Sequence, residues 1–289
     1  MEGQPRLPGR WPVGDYAKVR DVARGARDYA RSQGFDYKAA REFAGVRADP
    51  NNIAAIGNAV RRQQDTPAHI SPQMHESYAA LTEHINRQYD FMTRSKDEGG
   101  MGISVEVSPE DPYPSMKEAR NDVTKNKRLK VLATSTTSQN INQGSNPALT
   151  PEVNDRFRAV HDMFGHLAIG RSTDRHGEEA AVQHHAQMFP QQAHAALFSE
   201  LRGQNSAVVF SGQFPRDKPY DLPDWASKPN PVQPTPERKP EGTQESLFNP
   251  GEYPATKRLN TWETLGEQRQ FAPLRQQQQN NMEMRYGKG

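Results

Sequence analysis

Apolar residues recur at helical spacing along most of the chain up to residue 201. Residues 15–34 place Tyr16, Val19, Val22, Ala26, Tyr29 and Ala30 near one face, and Gly34 is a natural stop. Asp49 and Pro50 form an N-cap and first-turn pair, opening a helix that carries Ile53, Ile56 and Val60. Ser71 and Pro72 repeat the signal and open the longest pattern, residues 72–96. Its stripe is Met74, Tyr78, Leu81, Ile85, Tyr89 and Phe91/Met92. Thr150 with Pro151 caps another helix, with Val153, Phe157, Val160 and Phe164, and further helical patterns cover 178–188 and 191–201. These stripes read as core.

The period changes in two short β-branched runs, 102–107 (GISVEV) and 129–133 (LKVLA), with a helix expected over 115–126 between them. AVVF at 207–210 reads as one more strand, and the polar stretch 136–147 as a loop. The fold class is therefore mainly α with a small β-sheet, an α+β arrangement. Ten prolines then fall between Pro215 and Pro254, and QQQQNN follows at 276–281. This composition predicts an extended Pro/Gln-rich C-terminal tail of the kind that binds a partner by wrapping over it. The expected organisation is a flexible N-terminus at 1–11, a mainly helical domain at 12–228 and the tail at 229–289.

Composition fits a core plus a large solvated portion. Only 33% of residues are hydrophobic, and the mean hydropathy is −0.98. No apolar run approaches the ~18–20 residues of a membrane span, and charges run through the first thirty residues, so neither a span nor a signal peptide is expected. The net charge is +2, from 37 basic and 35 acidic side chains. That near-balance gives no nucleic-acid field, and the short basic run KNKRLK at 125–130 reads as a solvated face. Absence of cysteine excludes disulfides, thiolate ligands and a cysteine nucleophile.

Histidine carries the chemistry. Six of the nine histidines (His161, His166, His176, His184, His185 and His194) lie between residues 161 and 194. His161 and His166 are five residues apart, so an ideal helix sets them about 140° and ~7.5 Å apart. They meet at one ion only if the helix ends or distorts between them, and Gly165 makes that cheap through its tolerance of unusual backbone angles. Glu178 or Glu179 would add an oxygen ligand. Two imidazoles and a carboxylate suit ferrous iron first, with zinc or manganese as alternatives, and leave positions open. His185 lies two turns from Glu178 on one face, placed to support the ligands or transfer a proton. Asp162, four residues before His166, is placed to orient it through its second ring nitrogen. Arg202, in a loop-like RGQN segment, can hold a carboxylate or phosphate, or simply pair with Glu200 or solvent. His176 and His194 read as ordinary packing or surface residues, and His184 as solvated.

Two resemblances follow from these residues. HDMFGH at 161–166 is similar to the H-[DE]-x-x-G-H segment of the pterin-dependent aromatic amino acid hydroxylases, which implies His161 and His166 as iron ligands. The match covers six residues, with no pterin-binding segment and no glutamate at that family's spacing. A longer arrangement resembles an uncharacterised family encoded by tailed phages and prophages. It comprises Asp111-Pro112-Tyr113, the V-H-D-x-F-G-H box at 160–166, the G-E-E-x-A box at 177–181 with His185, and the E-x-R-G-Q-N box at 200–205. This resemblance spans about residues 70–225 and implies a phage origin, hence location in the host cytoplasm or the virion.

Two functions compete on this reading. One is a mononuclear metal enzyme, either a non-haem iron hydroxylase or a metal-dependent hydrolase in which Glu179 or His185 handles the proton and Asp162 and Arg202 assist. The other is a virion-associated structural protein whose tail docks on other phage subunits.

Overall fold

The computed structural model describes residues 13–43, 45–68, 70–135 and 146–229. The expected N-terminal segment 1–11, most of the polar loop and the tail beyond 229 lie outside the described residues.

The chain is mainly helical, with one small sheet. Helix α1 (Val13–Ser32) is followed by a single 3-10 turn, Ala40–Phe43, and then by α2 (Pro50–Gln63) and α3 (Pro72–Thr93). Local chemistry sets these starts. Asp49 accepts from the backbone N–H groups of Asn51 and Asn52, and Ser71 accepts from that of Met74, each with proline in the first turn. Strand β1 (Ser104–Ser108), helix α4 (Met116–Asn126) and strand β2 (Arg128–Leu132) form a crossover unit with the two strands parallel, Val105 opposite Leu129 and Val107 opposite Val131. Two strands alone are marginal. Here Leu129 and Val131 are buried in the helical core, while β1 is an exposed edge.

Helix α5 (Pro151–His161) runs without a break into a π-helical turn, Asp162–Leu167, and α6 (Arg175–Ala186) follows a short loop. A second interrupted helix occupies 191–211: a 3-10 turn, α7 (His194–Phe198), another π-turn (Ser199–Gly203) and α8 (Gln204–Ser211). The main core gathers Ala26 and Tyr29 of α1, Leu81, Ile85 and Met92 of α3, Phe157 and Val160 of α5, Phe164 and Leu167 of the π-turn, and Leu197 and Phe198 of α7. Among the described residues, no helix is long and apolar enough to cross a membrane.

The strand expected at 207–210 is instead the end of α8, and the segment at 200–205 is helical rather than a loop. Close packing of α2 against α8 explains the first difference. At Gly57 the helices approach so nearly that an added Cβ would lie 2.5 Å from Phe210 Cβ and 2.9 Å from the Ser206 carbonyl. That contact outweighs the β-propensity of the two valines.

Candidate metal centre

The distortion that the histidine spacing demands is the π-turn after α5. Its hydrogen bonds close over five residues: the Ala168 N–H donates to the Met163 carbonyl, and the Arg171 N–H to the His166 carbonyl at 3.0 Å. Widening the turn returns residue i+5 to the side occupied by residue i. The His161 and His166 rings therefore stand edge to face, with centroids 5.0 Å apart. Gly165 serves this turn by its size and not, as its backbone tolerance suggested, through a left-handed conformation. The His161 ring lies over its Cα, and a Cβ there would sit 2.9 Å from ring atoms Cε1 and Nδ1.

A short loop brings the carboxylate. Gly170, at φ +68°, ends the helix, and Asp174 caps α6 by accepting from the N–H groups of His176 at 2.8 Å and Gly177 at 2.9 Å. Gly177 is packed so closely that a Cβ would lie 1.9 Å from the Ser172 carbonyl oxygen. Glu178, in the first turn of α6 where the helix dipole favours an anion, then faces both rings. Its Oε2 lies 3.8 Å from His161 Nε2 and 3.5 Å from His166 Nε2. One donor atom from each of the three residues falls within 4.8 Å of the others. A first-row ion with bonds of ~2.0–2.2 Å keeps adjacent donors ~3–3.5 Å apart, so the three groups would draw together to close on a metal.

The electrostatics fit a cation. Burial opposes ionisation of Glu178, yet the neighbouring imidazoles hold its carboxyl down at about 2. Burial lowers His161 and keeps it neutral. Burial also acts to lower His166, but Glu178 and Asp162 outweigh it and the net shift is upward. His161 Nε2 is buried with no hydrogen-bond partner, facing a carboxylate. A bare nitrogen lone pair opposite an ionised oxygen is unfavourable unless a proton or a metal ion lies between them. The donor set and this orphaned nitrogen together fit a divalent metal held by His161, His166 and Glu178.

The remaining expected site residues divide. His185 is fully buried behind His161, with Nδ1 3.2 Å from His161 Nδ1. Asp162 is pushed up to about 6, chiefly by burial, and interacts with His166 through space. The expected orienting bond is not formed, because His166 Nδ1 has no side-chain partner. Glu179 is not one of the ligand group. Arg202 grips it with a two-pronged ion pair, Nε to Oε2 at 2.9 Å and Nη2 to Oε1 at 2.6 Å, and Gln183 donates to it at 2.7 Å. Arg202 therefore holds a carboxylate of its own chain, and neither Glu200 nor solvent. It also donates to the carbonyls of Ala226, Lys228 and Pro229 and lies over the Phe198 ring.

His184, expected to be solvated, is instead fully buried: its Nδ1 donates to the Phe164 carbonyl at 2.6 Å, and the neutral ring accepts the Tyr37 O–H at Nε2, 2.8 Å away. The π-turn leaves that carbonyl to be satisfied, and His184 does so. His176 and His194 are structural: His176 accepts the Ala48 N–H, and His194 donates to the Ala186 carbonyl.

A cavity of about 220 Å³ opens beside the centre, walled by Arg47, Asn52, Ile53, Gln183 and the Glu179–Arg202 pair. A narrower adjoining one reaches Glu178 itself.

Sequence reasoning missed Gln88, whose Oε1 meets His185 Nε2 at 2.7 Å. The signal was available, because Gln88 interrupts the apolar run Leu81, Ile85, Met92 at the stripe's own spacing. It also missed a buried polar network in which Tyr78 and Asn146 donate to Glu200, and Asn146 also to Asp217.

No known protein family, curated protein or solved structure matches this chain, so its own geometry carries the functional argument.

Proposed function

We propose that this protein is a mononuclear non-haem iron enzyme of phage origin, with His161, His166 and Glu178 as the metal ligands. The observation that carries the reading is His161 Nε2, buried, unpartnered and aimed at the Glu178 carboxylate. Two neutral nitrogens and one carboxylate on one side of an ion leave the opposite side for substrate and a second reactant. A ferrous ion held there would supply dioxygen activation for hydroxylation.

Two placements favour this over hydrolysis. The hydrolytic reading needs a base, but Glu179 is clamped by Arg202, and His185 is sealed in the core with its ring held neutral by burial. Asp162, its carboxyl pushed up to about 6 by burial, acts through space on the ligand His166 rather than on a substrate water. The cavity walled by Gln183 and the Glu179–Arg202 pair, which adjoins the narrower one at Glu178, offers mixed polar and apolar walls for a small organic substrate. The boxes at 111–113, 160–166, 177–185 and 200–205 support placing the chain with the tailed-phage proteins, and the Pro/Gln-rich tail supports docking on other phage proteins, in the host cytoplasm or the virion.

The test is metal content after anaerobic purification, with thermal unfolding, for wild type and His161→Ala. The expected result is one iron per wild-type chain, and none in a variant that remains folded, because an open catalytic site seldom carries the whole folding energy. Wild-type protein that takes up neither iron, zinc nor manganese would overturn the enzyme reading and leave a virion structural role.

A further inference from the structure

We infer that Gln88 is a positioning residue for the metal centre, holding His161 through His185 in the tautomer that presents Nε2 to the ion. The inference rests on the metal reading above for its purpose, but the relay itself is fixed by the geometry of its own hydrogen-bonding groups.

The argument starts from an acceptor that cannot do anything else. Gln88 is fully buried, and its Nε2 lies 3.1 Å from the Met188 backbone carbonyl, which can only accept. The amide nitrogen must therefore point there, because the reversed amide would set two carbonyl oxygens against each other. Gln88 Oε1 is then the atom 2.7 Å from His185 Nε2, and it too can only accept. His185 Nε2 carries the hydrogen.

His185 has no exposed surface, and its ring is packed against Phe189, with centroids 4.9 Å apart, and against Phe164. In that apolar enclosure the ring stays neutral, so its Nδ1 is bare. The atom facing this bare nitrogen at 3.2 Å is His161 Nδ1. Two ring nitrogens at hydrogen-bond distance need one hydrogen between them, and only His161 can provide it. A neutral His161 that carries its hydrogen on Nδ1 has a bare Nε2, which is the nitrogen turned toward Glu178.

The chain of four groups is thus Met188 carbonyl, Gln88 amide, His185, His161, each step allowing one hydrogen placement. It extends the familiar arrangement in which a metal-bound histidine donates its other N–H to a fixed acceptor. The acceptor here is an uncharged imidazole, so Glu178 supplies the only negative charge among the three proposed ligands.

Histidine-labelled full-length protein, free of metal, reports the tautomers directly by long-range proton–nitrogen NMR. The expected spectrum has His161 protonated at Nδ1 and His185 at Nε2. In Gln88→Leu, which removes the acceptor, both rings should lose that single assignment, and cobalt(II) affinity should fall ~10–100-fold. Gln88→Glu should restore most of both, because a protonated carboxyl donates to Met188 and accepts from His185. Restoration is a readout that mere filling of space would not give. A wild-type His161 carrying its hydrogen on Nε2 overturns the relay, whether or not either variant folds. So does a folded Gln88→Leu with unchanged tautomers and unchanged cobalt affinity. Wild-type tautomers as stated, with no cobalt binding, would keep the relay and sink the metal reading instead.

Discussion

Adjacent glutamates in the same helical turn have unlike environments, and the difference assigns them unlike work. Glu178 faces two imidazoles, whereas Glu179 is gripped by Arg202, whose side chain is 2% exposed. Glu178→Gln should therefore abolish metal uptake. Glu179→Gln should keep it and lower stability, because removing one partner of a buried ion pair strands the other, at a cost of about 3–5 kcal/mol. Metal per chain and denaturant unfolding of the two variants check this, and equal metal loss in both would refute the assignment. Gly165 makes a second residue-scale case. With a Cβ only 2.9 Å from the His161 ring, Gly165→Ala should displace that ring and weaken cobalt(II) binding at least ~10-fold. Isothermal titration reads the change directly, and unchanged affinity would show that the ring has room to move.

At the scale of elements, the sequence showed the helices clearly wherever a cap and a stripe coincide. Asp49-Pro50, Ser71-Pro72 and Thr150-Pro151 each cap the helix expected of them, because N-capping is a contact among neighbours. The ligand spacing was legible too, as a demand for a distorted helix between His161 and His166. Its form was not legible, since a π-turn follows from how the flanking helix packs rather than from six residues. AVVF was misread for the same reason: the close approach at Gly57 is a long-range contact that no local window contains. His184 and Gln88 show the complementary lesson, since a polar residue on a buried face is visible only once that face is known. The loop between the ligands gives the test at this scale. Gly177→Ala would set a Cβ 1.9 Å from the Ser172 carbonyl, a clash with backbone that cannot rotate away. The loop should open at a cost of about 2 kcal/mol or more, moving Glu178 from the histidines. A melting temperature and metal content both equal to wild type would refute it.

Across the whole molecule, the segment after α8 ties distant parts together. Lys218 Nζ donates to the carbonyls of Gln63 and Thr66 at the end of α2, the Tyr220 N–H donates to Ser199 Oγ in the second π-turn, and Arg202 holds the carbonyls of 226, 228 and 229. At its start lies the polar network around Glu200 and Asp217, joined by Asn146, Gln204 and Tyr78 and faced by Arg158. Burial, reinforced by Asp217, pushes the Glu200 carboxyl from 4.5 up to about 8, and burial raises Asp217 as well. The folded chain thus keeps a proton here that the unfolded chain releases above pH 4.5. Stability from this proton is full below pH 4.5 and is lost as pH rises toward about 8, on the order of a few kcal/mol. His166, also raised, acts in the same direction, so the informative quantity is the difference between proteins that share it. Glu200→Gln stays neutral at every pH. Its melting temperature should decline less than that of wild type between pH 5 and 9, with the two curves converging in acid and separating in alkali. Parallel curves would mean that the network holds no proton in the fold.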